Sequence, residues 1–215
     1  MDSSKIKVML VDDHAVVREG YRRLIEKQGD MIVVGEAADG AEVQALQKSV
    51  HADVIILDIS MPGQGGLEVI RRVRQRDDAT RILVFTMHQN VSFAIKAFEA
   101  GANGYITKGS PPNLLINAIR SLMNGGRAIS PDISEALAQS RISGDSSIVE
   151  KLSSREFEIL RMIAEARSTQ EIAETLNLST KTVLNYHYSI KSKLGVATDI
   201  ELVHLALSAG IIQMT

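Results

Sequence analysis

Short β-branched runs alternate with stretches of helical period through the first 126 residues, and nothing else in the sequence constrains the fold as tightly. The runs are 6–11 (IKVMLV), 31–35 (MIVVG), 53–57 (DVIIL), 82–86 (ILVFT) and 104–107 (GYIT). Helical stretches follow them at 15–28, 41–50, 66–76, 91–100 and 111–124. Five βα units in series imply an α/β domain, a parallel sheet with helices on both faces. The runs are continuously apolar rather than alternating, which suits strands covered on both sides. Right-handed crossovers leave few topologies, and the flavodoxin-like (βα)5 order 2-1-3-4-5 is the expected one.

The pattern breaks after Gly125-Gly126. Residues 127–148 contain Pro131, several serines and Ser143-Gly144-Asp145, so they read as a linker with one helix at 131–140. From 149 to 215 the signal is wholly helical. Ser153-x-x-Glu156 and Ser168-x-x-Glu171 fit capping boxes ahead of two apolar helices. Ser179 would cap a third helix, about 180–194, ended by Gly195, and Thr198 or Asp199 a fourth, 199–209, ended by Gly210. A three-residue turn, Asn177-Leu178-Ser179, between the second and third gives a small all-α domain of four helices with a helix-turn-helix.

Composition limits the setting. The chain has 215 residues and no cysteine, which excludes disulfides and thiolate metal sites. No apolar run approaches the roughly 18 residues of a membrane span, and the first residues, MDSSKIKV, lack a signal-peptide core. A cytoplasmic protein without a membrane partner is expected. The net charge of −2 names no ligand, but its distribution is uneven. The segment 179–195 holds Lys181, Lys191 and Lys193 and no acid, whereas six glutamates lie between 150 and 174. One positive face on an otherwise acidic module results.

In a doubly wound sheet, ligands bind beyond the carboxyl ends of the strands. The first strand ends in Asp12-Asp13, the third in Asp58, the fourth in Thr86 and the fifth in Lys108. In the order 2-1-3-4-5 these strands are neighbours, so the polar residues converge. Alone, each has an ordinary structural use: an aspartate caps the next helix, a lysine packs its stem. Together, three carboxylates repel unless a cation sits among them, and all-oxygen ligation suits Mg²⁺. His14 reads as a helix-start residue rather than a metal ligand. Carboxylate, cation and amine form an apparatus for phosphoryl transfer, in which an aspartate can be the nucleophile. Asp58, single and central, is the expected phosphoacceptor, with Lys108 and Thr86 binding phosphoryl oxygens.

The LVDDH, LDISMPGQGGLE, FTMH and GYITKG segments resemble the receiver domain of bacterial two-component response regulators, over residues 5 to about 126. The resemblance implies phosphorylation of Asp58 by a sensor histidine kinase. It also implies Mg²⁺ held by Asp13, Asp58 and the backbone carbonyl of Ser60, with Asp12 assisting. Thr86 then shifts towards the phosphoryl group and Tyr105 changes rotamer, a population shift read on the helix 4–strand 5–helix 5 face.

In the third C-terminal helix, Val183, Ile190 and Leu194 recur at core spacing and Tyr186 joins them. The opposite face offers Lys181, Leu184, Asn185, His187, Tyr188 and Lys191, with Thr182 and Lys193 alongside. Such residues can meet phosphates and base edges when the helix enters a major groove of double-stranded DNA. Residues 149–212 resemble the LuxR-type DNA-binding domain, so the whole chain resembles a NarL/FixJ-type response regulator. The TVxNYxYxIxxKL stretch and the following ELVHLA are similar to the GacA/UvrY-like branch. Three positions depart from that pattern: Leu184 and Tyr188 stand where many relatives carry Lys or Arg, and Ala166 replaces a glycine usual before the second helix. Fewer charges per monomer put more weight on a homodimer spanning two half-sites, and the resemblance places its contact on the fourth helix. The function expected is phosphorylation-dependent transcription regulation, not enzymatic turnover of a substrate. An adaptor that does not touch DNA and a regulator that works without phosphate are the alternatives. An aspartyl-phosphate phosphatase would need Asp-x-Asp on one strand, whereas Asp58 is followed by Ile59-Ser60.

Overall fold

The computed structural model describes residues 5–61, 65–143 and 150–212. The linker positions 144–149 and Pro62, Gly63 and Gln64 of the LDISMPGQGGLE segment lie outside them. The described strands are β1 (Ile6–Val11), β2 (Met31–Ala37), β3 (Val54–Leu57), β4 (Arg81–Thr86), β5 (Gly104–Thr107) and β6 (Ala128–Ile129). Interleaved with the first five are α1 (Ala15–Glu26), α2 (Gly40–Leu46), α3 (Gly66–Arg76), α4 (Val91–Ala100) and α5 (Pro112–Met123). All pairings are parallel and the order is β2-β1-β3-β4-β5-β6. The expected 2-1-3-4-5 order is present, extended by a sixth strand that lies within the expected linker. β6 pairs Ala128 with Gly104 and Ile129 with Tyr105.

Alternate strand residues serve opposite faces, the period-2 rule of a pleated strand. Val8, Leu10, Val54, Ile56, Leu83, Phe85 and Ile106 pack with Leu115, Ile119 and Leu122 of α5. Met9, Val11, Ile55, Leu57, Ile82, Val84 and Tyr105 pack with Ile70 and Val73 of α3 and Phe93, Ala94 and Ala97 of α4. Gly66 lets α3 start tight against the strand-end loop, because a Cβ there would fall 2.3 Å from the Cα of Ile59. That close approach fixes the segment following Asp58.

Beyond β6, α6 (Pro131–Ser143) leads to α7 (Ser154–Ala164), α8 (Thr169–Leu176), α9 (Thr180–Leu194) and α10 (Asp199–Ser208). Capping boxes at Ser153–Glu156 and Ser168–Glu171 are formed as the spacing predicts, and Thr198–Glu201 makes a third. Each of these four helices ends in one C-terminal motif. The N–H groups of Ala166, Asn177, Gly195 and Gly210 donate to the carbonyls of Ile163, Glu174, Ser192 and Leu207. The N–H groups of the residues after them reach back to Met162, Ala173, Lys191 and Ala206. Such 6→1 and 5→2 bonds need a left-handed residue at the turn. Ala166, at φ 61°, and Asn177, at φ 51°, are the non-glycine residues with positive φ among those described. The departure at Ala166 therefore has a conformational meaning: the usual glycine suits the backbone and the alanine strains it.

The two helical and α/β parts share one apolar core. The Phe93 and Phe157 rings meet edge-to-face at 5.0 Å and 83°, joining α4 to α7. No helix among the described residues is long and apolar enough to cross a membrane.

Candidate phosphorylation site and nucleic-acid interface

Strand register assembles the acidic site. Val11 pairs with Leu57, so Asp12 and Asp58 emerge side by side, and the Asp58 N–H donates to the Val11 carbonyl at 2.9 Å. Thr86 pairs with Thr107, and the Lys108 N–H donates to the Thr86 carbonyl at 2.8 Å, which brings Lys108 to the same edge. Its ammonium donates to Asp12 Oδ2 at 2.6 Å and to Asp58 Oδ2 at 2.5 Å. Asp58 is only 2% exposed. Burial alone would raise its carboxyl, but the Lys108 ammonium and the Ser60 N–H, 2.8 Å from Oδ1, hold it below the usual carboxylate range. Burial would likewise lower the Lys108 amine, and its bonds to Asp12 and Asp58 keep it above the ordinary lysine value. Carboxylate and counter-charge are therefore both ionised.

Around this pair, Thr86 is fully buried with its hydroxyl 3.0 Å from Ser60 Oγ. Tyr105 is also fully buried, and its hydroxyl donates to the His88 carbonyl at 2.9 Å, the inward arrangement of that ring. Asp13 Oδ1 is buried and accepts no well-aligned hydrogen bond, although His14 Nδ1 approaches it at 3.0 Å. Asp12, Asp13 and His14 offer three ligand atoms within 4.8 Å of one another. His14 stands at the start of α1, as the sequence suggests, without a side-chain capping bond, and it also belongs to this cluster. Arg18 was missed in the sequence: its guanidinium donates to the Asp12 carbonyl at 2.5 Å and steadies the acid pair. Its position four residues into α1 was the available signal.

On the helical side, Val183, Ile190 and Leu194 of α9 are buried and Tyr186 packs against them, as the spacing predicts. Lys181, Leu184, Asn185 and Tyr188 are exposed, Leu184 by 42% and Tyr188 by 71%. Thr182 sits at the helix start, its hydroxyl 2.8 Å from that of the Ser179 cap. His187 and Lys191 both reach one oxygen of Asp199, at 2.9 and 3.0 Å. Lys193 is drawn to Glu156 at 2.7 Å. Two of the three α9 lysines thus have acidic partners within their own domain, which charge counting along the sequence does not show. The receiver-like part contacts α7 and the end of α10, so the outward face of α9 stays open.

Comparison with known proteins agrees with both halves. Residues 8–120 match the response regulator receiver domain, and residues 150–206 match the bacterial regulatory proteins of the luxR family. The chain is 41% identical to the response regulator UvrY of Escherichia coli over 208 residues, 96% of this chain and 95% of that one. It is 37% identical to the response regulator GacA of Pseudomonas aeruginosa over 209 residues, 96% of this chain and 98% of that one. Among solved structures, RcsB of Salmonella enterica serovar Typhimurium, bound to a promoter with the phosphomimetic BeF3−, aligns with TM-score 0.74 and 30% identity. That alignment covers 95% of this chain and all of the other. Receiver site, helix-turn-helix and full-length relatives converge: the chain belongs to the two-component response regulators that join a receiver domain to a LuxR-family regulatory domain.

Proposed function

We propose that this response regulator is phosphorylated on Asp58 by a sensor histidine kinase and then regulates transcription by binding double-stranded DNA as a homodimer on paired half-sites. We assign residues 1–126 to the receiver, 127–148 to the linker and 149–215 to the DNA-binding domain. The observation that carries the reading is the Lys108 ammonium held between buried Asp12 and Asp58 at the strand ends. One Asp58 oxygen attacks phosphorus, the bond from phosphorus to the donor nitrogen breaks, and an acyl phosphate remains. Lys108 moves from the carboxylate to a phosphoryl oxygen, and the Thr86 hydroxyl turns from Ser60 to another.

The acidic cluster fits a hard divalent cation. Asp13 Oδ1 is a buried oxygen without an aligned donor, and carboxylate oxygens with a backbone carbonyl are the donors Mg²⁺ prefers. Asp13, Asp58 and the Ser60 carbonyl would hold it, with Asp12 assisting. When bound, the ion neutralises the charge that builds on the phosphoryl oxygens. With Thr86 turned inward, the Tyr105 bond to His88 is free to rearrange.

On α9, Lys181, Thr182, Lys191 and Lys193 would contact phosphates, Asn185 and His187 base edges, and Leu184 and Tyr188 apolar base surfaces. The test is incubation with a small phosphodonor and Mg²⁺, followed by intact mass and by selection of bound sequences from random DNA. One added phosphate, absent in Asp58→Ala, and phosphate-dependent enrichment of paired half-sites are expected. An undiminished gain in Asp58→Ala would overturn the phosphoacceptor assignment. Enrichment that is the same with and without phosphodonor would favour a regulator that works without phosphate.

A further inference from the structure

The α7 helix is docked on the receiver by groups that the phosphorylation and DNA-binding roles leave unused. Phe157 packs edge-to-face on Phe93, and Phe93 stacks flat on His88, with ring centroids 4.0 Å apart. Lys96 of α4, 1% exposed, donates to the Leu152 carbonyl at 2.7 Å and to Glu99. Ser92 Oγ donates to the Ala209 carbonyl at 3.3 Å. At the middle of the contact lies Glu158, a buried acid pointing from α7 into the receiver. Its carboxyl rests directly on the backbone of Gly65, where a Cβ would come 2.1 Å from Oε1. Gly65 stands at the N-cap of α3.

The surroundings of that carboxyl are mostly apolar: Ile59, Met61, Leu67, Phe93 and Met162 line the same small cavity. Its charged neighbours are few. On its own helix Arg155 lies 3.3 Å away and Arg161 is nearby, while α3 contributes Glu68, which repels it. Arg155 is shared with the Leu176 carbonyl at 2.8 Å, and from α4 the Lys96 charge is already committed. His88, on the loop before α4, is lowered to about 4 by burial, so it is neutral above pH 5. A carboxyl in such a place is favoured in its protonated form.

We propose that docking of the DNA-binding domain on the receiver is proton-linked, with Glu158 as the group whose protonation holds α7 against the start of α3. Burial pushes the docked carboxyl up to about 7, whereas an undocked, solvated Glu158 returns towards 4.5. The docked state therefore binds the proton more tightly. Docking strengthens as pH falls through 7 and weakens as pH rises above it. With those two values the docking constant is about tenfold larger at pH 6 than at pH 8. Between them the receiver's hold on α7 is graded by pH, independently of phosphate.

The chain has no cysteine, so single thiols can be placed at will. Ser92→Cys puts one, 3% exposed, inside the contact. Ala118→Cys puts another in the α5 core away from it and reports receiver unfolding. Thiol-labelling rates, divided by those of the unfolded chain at the same pH, give an opening constant even where the docked form dominates. The Ser92→Cys constant is expected to be about tenfold larger at pH 8 than at pH 6. Adding Glu158→Gln, the isostere of the protonated acid, should make it flat and low, while Ala118→Cys stays slow throughout. A pH-independent constant in the parent would overturn the proposal. So would an undiminished step in Glu158→Gln, or loss of protection in that variant at both pH values.

Discussion

Replacing Ala166 by glycine should stabilise the helical domain, and the size of the gain follows from the turn at the end of α7. Ala166 sits at φ 61°, with its N–H on Ile163 and the next N–H on Met162, each at about 3.0 Å or less. Holding an L-residue with a Cβ in the left-handed region costs roughly 1–2 kcal/mol. Glycine removes that strain but enlarges the entropy of the unfolded chain, which returns about 0.4–1 kcal/mol. The net expectation for Ala166→Gly is a gain of about 0.5–1 kcal/mol, with both turn hydrogen bonds kept. Gly195 provides the mirror experiment: it ends α9 in the same motif at φ 71°, and a Cβ there would meet nothing within 4 Å. Gly195→Ala should therefore lose about what Ala166→Gly gains, for the backbone reason alone. Urea unfolding followed by far-ultraviolet circular dichroism reads both, with the transition of the helical domain fitted separately. Equal stability of parent and Ala166→Gly, or a loss, would refute the argument. So would a cost in Gly195→Ala without a matching gain at 166, since the two turns share one geometry.

Asp13→Ala should abolish Mg²⁺-dependent labelling of Asp58 while leaving the circular dichroism spectrum unchanged, because its buried Oδ1 accepts no hydrogen bond in the fold; full labelling would remove it from the metal set. Glu156 is held down to about 2, since bonds from Lys193, Ser153 and Ser189 outweigh the upward push of burial. Its stabilising contribution is complete above pH 4.5 and is lost as pH falls towards 2. Glu156→Gln should flatten that part of the acid-denaturation curve, and an unchanged curve would discount the pair. Asp199→Asn releases Lys191 and His187 from a shared acidic partner without removing a helix cap. DNA affinity should rise several-fold and the log–log salt slope steepen by up to about 1; an unchanged slope would mean that Lys191 does not reach a phosphate.

Much of the receiver was legible because its signals are local. The β-branched runs end where charge begins, and the polar residue after each run inherits its place from strand order. The capping boxes were legible for the same reason, since donor and acceptor lie three residues apart. The sixth strand was not, because two residues carry no periodicity and pair only after the β4–β5 edge exists. Lys96 and Glu158 read along the sequence as ordinary surface charges of amphipathic helices. Their burial is created by a second domain, which no window of 18 residues contains. Ala166 lies between these cases: its oddity was visible as a missing glycine, but the positive φ that explains it belongs to the folded backbone.

The sixth strand also sets the length of a leash. Pairing of β6 with β5, followed by α6 with Ile133 fully buried, anchors the chain to the receiver until the last turns before α7. Only the stretch between Ser143 and Ser154 remains to join the two domains. A tether that short keeps a released DNA-binding domain at a local concentration on the order of millimolar. The docking face can therefore be intrinsically weak, near millimolar, and still be occupied for a large part of the time. A second copy at micromolar concentration competes for it poorly. Modest biases of about tenfold, such as a proton on one glutamate, are then large enough to matter.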